Sequence, residues 1–367
     1  MSDRSKNIFS NGTLGAICPI RLRPLPPKPL VSIIVANFNY GLYIGSAIES
    51  VQAQTYSNFE LIICDDGSTD GSCEVIGSYL SRDKRINFIS KENGGQASAF
   101  NTAYKAANGE IICFLDSDDL FHEHKLEWIV GAFQRNTGAG YCTHLVQPIS
   151  PDGRFIESAY PKSLENGWIA CDALFKGGKS IGLPPTSGLS FRKEITDKIF
   201  PIPPDFRVSA DGPFREAAQF MTSIIAIPEI LAYYRIHRNN SRGLHANSLE
   251  SVRAIIADYE KIHIFLKEFL RKEYGEEVAK CLRLEDAPQY WENLIKISLF
   301  TSKGELNKSY SMEEILREIP FSPRKIFWRI MSLLPESMAK PALRFFLGDS
   351  RRKRILLRTI RALQIEK

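Results

Sequence analysis

No window of this 367-residue chain approaches the roughly eighteen apolar residues that a membrane-spanning helix needs. Met1–Ile20 is polar and lacks an unbroken apolar core, which argues against a secretory leader. The seven cysteines, at 18, 64, 73, 113, 142, 171 and 281, include no Cys-x-x-Cys pair. An odd, unpatterned set of that kind excludes a zinc or disulfide framework and suits a reducing compartment, so a cytoplasmic location is expected. No regular repeat runs through the chain, and an excess of basic charge is absent from most of it. The net charge is +5, but from Arg317 onward thirteen Lys or Arg face four Asp or Glu, which leaves residues 1–316 at −4. General nucleic-acid binding by the larger part of the chain is therefore not expected. Hydrophobic content of 44% supports a sizeable core, with room for one α/β domain and a smaller module.

What is present is an alternation. Apolar runs at Val31–Ala36, Phe59–Cys64, Arg85–Ile89 and Ile111–Leu115 read as buried strands. Helical spacing covers Tyr43–Gln54, Asp70–Leu80, Gln96–Ala107 and His122–Gln134 between and after them. Strand–helix alternation from 31 to about 145 predicts a mostly parallel sheet covered on both faces. Three of the runs stop on polar residues: Asn37-Phe38-Asn39-Tyr40, Asp65-Asp66-Gly67-Ser68-Thr69-Asp70, and Asp116-Ser117-Asp118-Asp119. In open α/β sheets ligands bind beyond the carboxyl ends of the strands. Carboxylates crowded there repel one another, and a hard divalent cation bridging to substrate phosphates would relieve that repulsion. The plainer reading of 116–119 is an acidic loop at the N-terminus of the next helix.

These residues, taken together, resemble the inverting GT-A glycosyltransferases of glycosyltransferase family 2. The resemblance is carried by V-S-I-I-V-A-N-F-N-Y at 31–40, S-V-Q-A-Q-T-Y at 50–56, F-E-L-I-I-C-D-D-G-S-T-D at 59–70, N-G-G-Q-A-S-A-F-N at 93–101 and G-E-I-I-C-F-L-D-S-D-D at 109–119. It continues through S-G-L-S-F-R-K-E at 187–194, S-A-D-G-P-F at 209–214 and L-A-Y-Y-R-I-H at 231–237. Two positions depart from the family pattern: Ala36 stands where a proline is usual, and Phe100 where an arginine often precedes Asn101.

The resemblance implies a GT-A domain over 31–240, divided into a nucleotide-sugar half at 31–145 and an acceptor half at 146–240. Residues 1–30, with the proline-rich R-L-R-P-L-P-P-K-P-L at 21–30, are expected to lead into the fold from outside it. Residues 241–367 are expected to form a helical C-terminal region. The resemblance further implies a nucleotide-diphosphate sugar donor bound by Asn37, Asn39, Asp65, Asp66, Gly94, Asn101, Asp116 and Ser117. Asp66 would meet the base, with Asp65 supporting its turn, and Asp116 would lie near the ribose. Asp118 would hold Mg²⁺ or Mn²⁺ against the diphosphate, with His237 as a further metal or diphosphate contact. Arg235, Arg238 and Arg242 are candidate phosphate contacts. Asp211 would deprotonate the hydroxyl of a saccharide or lipid-linked acceptor; read alone, it is an N-cap for a helix at Phe214–Met221.

Downstream, Gly177–Pro185 reads as a substrate loop or a plain turn, and Thr186–Phe191 as a strand. Ser248–Leu270 and Glu276–Thr301 have helical spacing. Leu356, Ile360 and Leu363 share a face opposite Arg354, Arg358 and Arg361, and Ile326, Phe327, Ile330, Met331 and Leu334 form a second stripe among basic residues. Such helices suit an anionic membrane surface on the cytoplasmic side, or packing on the domain or on a second copy in a homo-oligomer. Three other functions fit the sequence less well. A haloacid-dehalogenase-like phosphatase expects its Asp-x-Asp on the first strand and a Thr or Val where Leu120 stands. A processive synthase would add membrane spans and Gln-x-x-Arg-Trp, both absent from the sequence. A non-catalytic sugar-nucleotide-binding or scaffold protein would be free to lose Asp118 or Asp211.

Overall fold

The computed structural model describes residues 17–179, 182–237, 240, 249–300, 316–317, 323–333 and 338. These fall into two compact units. One takes the described residues up to Leu174, those within 178–240, and Phe265–Cys281; the other takes Phe175–Gly177, 249–264 and those from Leu282 on.

The first unit begins with the alternation read from the sequence. Strand β1 (Val31–Asn37) leads to helix α1 (Gly41–Gln52), β2 (Phe59–Asp65) to α2 (Ser72–Leu80), β3 (Ile86–Ser90) to α3 (Gln96–Lys105), and β4 (Ile111–Phe114) follows. The chain continues through β5 (Leu120–Phe121), α4 (Lys125–Arg135), β6 (Ala139–Ile149), α5 (Ala170–Leu174), β7 (Leu189–Arg192), α6 (Lys193–Ile199), α7 (Asp211–Ala218) and β8 (Ser223–Arg235). All eight strands join one sheet in the order β3-β2-β1-β4-β7-β6-β8-β5. The β3-β2-β1-β4 half is parallel throughout. Beyond it the sheet is mixed: β7 runs antiparallel to both β4 and β6, β6 and β8 are parallel, and β5 is antiparallel to β8. The parallel expectation thus describes the β3-β2-β1-β4 half, and the other half is mixed.

Burial explains the unbroken apolar runs. Val31, Ile33, Ile34, Ile62, Ile63, Ile111, Ile112 and Cys113 are fully covered, because helices lie on both faces of a parallel sheet. Helix α1 places Ile44, Ala47, Ile48 and Val51 inward, at the three- and four-residue spacing of one helical face. Each such large aliphatic side chain contributes about 1.5–3 kcal/mol on burial. Cys64 and Cys113 are free thiols in this core, as expected of residues inside strands.

Register sets the functional edge. Asn37 lies opposite Asp65, and Asp65 opposite Ser90, so the polar strand ends line up across β1, β2 and β3. The proline-rich stretch expected to lie outside the fold is fastened to it within 17–30. Ile20 N–H donates to Met221 O at 2.8 Å, Arg192 Nη2 to Arg23 O at 2.6 Å, and Leu30 N–H to Glu110 Oε2 at 2.7 Å. Residues 1–16 lie outside the described residues.

The second unit is helical. It includes the first part of α8 (Leu249–Tyr274), α10 (Pro288–Phe300) and α11 (Pro323–Leu333), while α9 (Glu276–Cys281) belongs to the first unit. The single helix expected over Glu276–Thr301 is instead two: α9 ends at Cys281, a 3-10 turn spans Leu284–Asp286, and Pro288, whose missing N–H costs nothing in a first turn, opens α10. Val252, Ile256, Tyr290, Trp291, Leu294, Ile295, Trp328 and Met331 form this unit's core, with Phe327 packed against it. Of the second apolar stripe, Met331 is therefore a core residue and Phe327 packs at the core's edge, as the packing alternative expects. The Leu356, Ile360 and Leu363 stripe lies outside the described residues, as do Arg238 and Arg242. Among the described residues, no helix is long and apolar enough to cross a membrane.

Candidate active site

The two aspartates that end β2 are committed in opposite directions. Asp65 is fully buried; its Oδ1 accepts from Asn37 Nδ2 at 2.7 Å and from Ser68 Oγ at 2.6 Å, and its Oδ2 from Ser68 N–H at 2.9 Å. Asn39, at φ 58° in the left-handed region that asparagine tolerates, accepts from Thr69 N–H at 2.8 Å and donates its own N–H to Ser68 Oγ at 2.8 Å. Asp65, Asn37 and Asn39 thus tie the β1 and β2 turns together. Asn37 Oδ1 remains buried without a hydrogen bond.

Asp66 faces the glycine turn before α3. Its Oδ1 accepts from Lys91 Nζ at 2.7 Å and Gly94 N–H at 3.0 Å, and its Oδ2 from Gly95 N–H at 2.7 Å. A Cβ on Gly94 would meet Ser98 Oγ at 2.5 Å, and Gly95 sits at φ 89° with Arg207 Cα 2.7 Å from where its Cβ would be. Asn101 belongs elsewhere: its amide donates to Ile202 O at 2.7 Å and accepts Ile202 N–H at 2.8 Å, so it anchors the segment before α7.

Past β4 the acidic turn is built around Ser187, which lies in a 3-10 turn (Thr186–Gly188) where the sequence suggested the start of a strand. Ser187 Oγ accepts from Asp116 N–H at 3.1 Å and donates to Asp119 Oδ2 at 2.6 Å. Lys125, fully buried, donates from Nζ to Ser187 O at 2.6 Å and lies 3.5 Å from the centre of the Phe121 ring. Ser117 Oγ donates to Ala36 O at 2.9 Å, fixing the turn to β1. Burial, then the neighbouring charges of Asp118 and Asp211, push the Asp116 carboxyl well above the usual carboxylate range. Burial acts first on Asp119 too, followed by Asp118 and Asp116.

The end of β8 returns to this turn. His237 Nε2 lies 2.9 Å from Asp118 Oδ2, which also accepts from Asn240 Nδ2 at 3.1 Å. The imidazole stacks on Tyr43 at 4.8 Å between ring centres. Arg235 is pinned by donation from Nε to Asp118 O at 2.8 Å and from Nη1 to Pro151 O at 2.7 Å, and its N–H donates to Asp119 Oδ1 at 2.9 Å. Two of its guanidinium donors are thus occupied by the protein.

Asp211 opens α7, but its side chain is not a cap. Oδ2 accepts from Arg215 Nη1 at 2.7 Å one turn along the helix. Its charge acts on Asp116, so the acid of α7 stands in the same neighbourhood as the acids beyond β4. Asp116, Asp118, His237 and Asp211 thus lie near one another, Asp66 and Gly94 are bonded together, and the side chains of Asn101 and Ser117 are bonded to Ile202 and Ala36. Lys91, Ser187, Arg215 and Asn240 escaped the sequence reading. The lysine two residues before N-G-G and the serine opening S-G-L-S-F-R were the only signals, since each matters through a tertiary partner.

Among the described residues, no group of three or more His, Cys, Asp or Glu side chains is arranged to hold a metal by itself. The donor chemistry nevertheless fits a hard divalent cation that also takes phosphate oxygens. Asp118 and His237 offer an oxygen and a nitrogen together, and the Asp116 carboxyl, raised first by burial and then by the charges of Asp118 and Asp211, stands where a cation would offset negative charge.

Comparison with known proteins follows the same residues. A family model described as glycosyl transferase family 2 matches residues 32–198. An uncharacterized glycosyltransferase of Nostoc sp. is 37% identical over 252 residues, covering 68% of this chain and 78% of that protein. Hyaluronan synthase of Pasteurella multocida is 35% identical over 144 residues, which is 39% of this chain but only 15% of the synthase. Among solved structures, a mannosyltransferase from Pyrobaculum calidifontis in complex with GDP-Man and Mn²⁺ aligns over 95% of this chain and 96% of its own, at 16% identity and a TM-score of 0.47. S. aureus TarS in complex with UDP-GlcNAc aligns over 82% and 87%, at 18% identity and a TM-score of 0.49.

Proposed function

The chain belongs to glycosyltransferase family 2, and from that premise we propose that it transfers a sugar, with inversion, from a nucleotide-diphosphate donor to a hydroxyl acceptor. The observation that carries this reading is the convergence of Asp118 and His237, from the turns after β4 and β8, beside Asp116 and within electrostatic reach of Asp211. Polysaccharide or glycolipid assembly is the proposed setting, supported by the likeness to hyaluronan synthase over part of that protein. The proposed location is the cytoplasmic face of a membrane, which the basic balance from Arg317 onward supports.

In this mechanism Asp66 and the Gly94–Gly95 turn receive the nucleoside, with Lys91 balancing the carboxylate. Asp118 and His237 would hold Mg²⁺ or Mn²⁺, which when bound supplies Lewis-acid stabilisation of the diphosphate. Asp211 takes the proton of the acceptor hydroxyl as that oxygen bonds to the anomeric carbon. The bond from that carbon to the diphosphate oxygen breaks, and its electron pair leaves on the nucleotide. One displacement uses one base and inverts the centre, unlike the two-carboxylate arrangement of retaining glycosidases.

The test is transfer by the purified protein across a panel of sugar nucleotides, with the product's anomeric configuration read by NMR. An α-linked donor should give a β-linked product. Asp211→Asn should lower turnover by about 10²–10⁴-fold, the range typical of general-base catalysis, with donor affinity nearly unchanged. A retained configuration or an unimpaired variant would overturn the base assignment. Failure to transfer or hydrolyse any donor would favour the scaffold alternative.

A further inference from the structure

The helix that carries Asp211 holds a second charge that the transfer step leaves unused. Arg215 reaches back one turn, donating from Nη1 to Asp211 Oδ2 at 2.7 Å, and from Nε to Glu216 Oε1 at 3.2 Å. Glu216 is itself buried, and its Oε2 accepts from Gln219 Nε2 at 3.3 Å. Gln219 Nε2 also donates to Gly178 O at 2.7 Å, which ties the chain of contacts to the backbone after α5. Ion pairs at this helical spacing contribute little when both partners are in water. Here the side chains of Arg215 and Asp211 are only 20% and 14% exposed, and Glu216 is 1% exposed. An arginine held in an interior site by two carboxylates is a fixed feature rather than a solvated one.

We infer that Arg215 is a positioning residue for the transfer reaction: it clamps Asp211 through Oδ2 and leaves Oδ1 as the oxygen that accepts the acceptor's proton. Among the described residues, Oδ1 of Asp211 has no hydrogen-bond partner. The charged and titratable groups around Asp211 are Arg215 and Glu216 on its own helix, Asp116 at the end of β4, and Tyr141 on β6. Asp116 repels Asp211, so an unclamped carboxylate would be free to rotate away from it and from the acceptor. Tyr141 Oη is buried without a hydrogen-bond partner and supplies no competing clamp. Arg215 is thus the cation that fixes the direction of the base. Lysine is a poor replacement, since it lacks the planar fork that spans Asp211 and Glu216 together.

This inference rests on Asp211 being the base, and the experiment separates the two. Arg215→Met and Arg215→Lys are compared with the parent and with Asp211→Asn, with folding checked by circular dichroism and thermal melting. The expected result for Arg215→Met is a fall in kcat of about 10–100-fold at unchanged donor KM, the scale that small misplacement of a reacting group produces. Arg215→Lys should restore only part of kcat, again at unchanged donor KM. Should Arg215→Met fail to fold, Arg215→Lys decides the matter: a kcat loss at constant donor KM supports the clamp, and parental kcat overturns it. A folded Arg215→Met with parental kcat would overturn the clamp while Asp211→Asn remains impaired. An active Asp211→Asn would overturn the base assignment instead.

Discussion

His237 Nε2 and Asp118 Oδ2 stand 2.9 Å apart although 119 residues separate them in the chain. The contact exists because β8 runs thirteen residues along β6 and delivers its end to the turn after β4. Tyr43 stacks on the imidazole and Asn240 shares the carboxylate oxygen, so the pair is held on several sides.

That pair yields the first prediction. Asp118→Asn should abolish transfer while leaving the fold intact, and His237→Ala should weaken Mn²⁺ binding measured by calorimetry in the absence of donor. Excess chelator should stop transfer by the parent protein. Undiminished transfer in chelator would remove the metal from the mechanism.

Asp66 is held by Lys91, Gly94 and Gly95, and a hydrogen bond from the nucleobase to this charged group would be worth about 1.5–3 kcal/mol. Asp66→Ala should therefore raise the donor KM by roughly tenfold or more. Steady-state kinetics at saturating acceptor would show it, and an unchanged KM would place the nucleoside elsewhere.

Much of this geometry is legible in the sequence. Runs such as Phe59–Cys64 that stop on Asp65-Asp66 announce strand ends at a sheet edge, because a buried strand cannot carry unpaired carboxylates in its middle. The mixed half was harder to read. Leu120–Phe121 is too short to show a period, and β6 is so completely buried that it lacks alternation. Asn101 looked like a ligand because N-G-G-Q-A-S-A-F-N ends on it, yet its amide is occupied by Ile202, 101 residues away. Arg215 and Ser187 gain their meaning only from partners that no local pattern names.

A third prediction concerns Lys125. Burial pulls its ammonium down to about 7, against partial opposition from Cys113, Cys142 and Asp119. Between about pH 7 and the ordinary lysine range near 10.4, the unfolded chain keeps this proton while the folded one releases it. The unfolded state then binds more protons, so this group makes stability rise with pH across that window, and its burial costs most below pH 7. Lys125→Met should flatten the rise, seen as a smaller difference between urea midpoints at pH 7 and pH 9. Identical differences in parent and variant would count against it.

The basic tail supplies the fourth. Near an anionic surface each Lys or Arg contributes about 1 kcal/mol, an attraction that weakens with salt. Truncation after Glu318 should release the protein from anionic liposomes at low salt and spare donor hydrolysis. If the full-length protein ignores such liposomes, the tail serves packing or self-association.

Asp65 and Asp66 are chemically the same residue, yet the strand's two-residue alternation sends one to the Asn37–Ser68 side and the other to the Gly94–Gly95 turn. Removing either one by a three-base deletion gives the same polypeptide. The lesion is consequently not the loss of a particular aspartate but the loss of a pair: whichever post the survivor fills, the other falls to a neighbour unable to hold it.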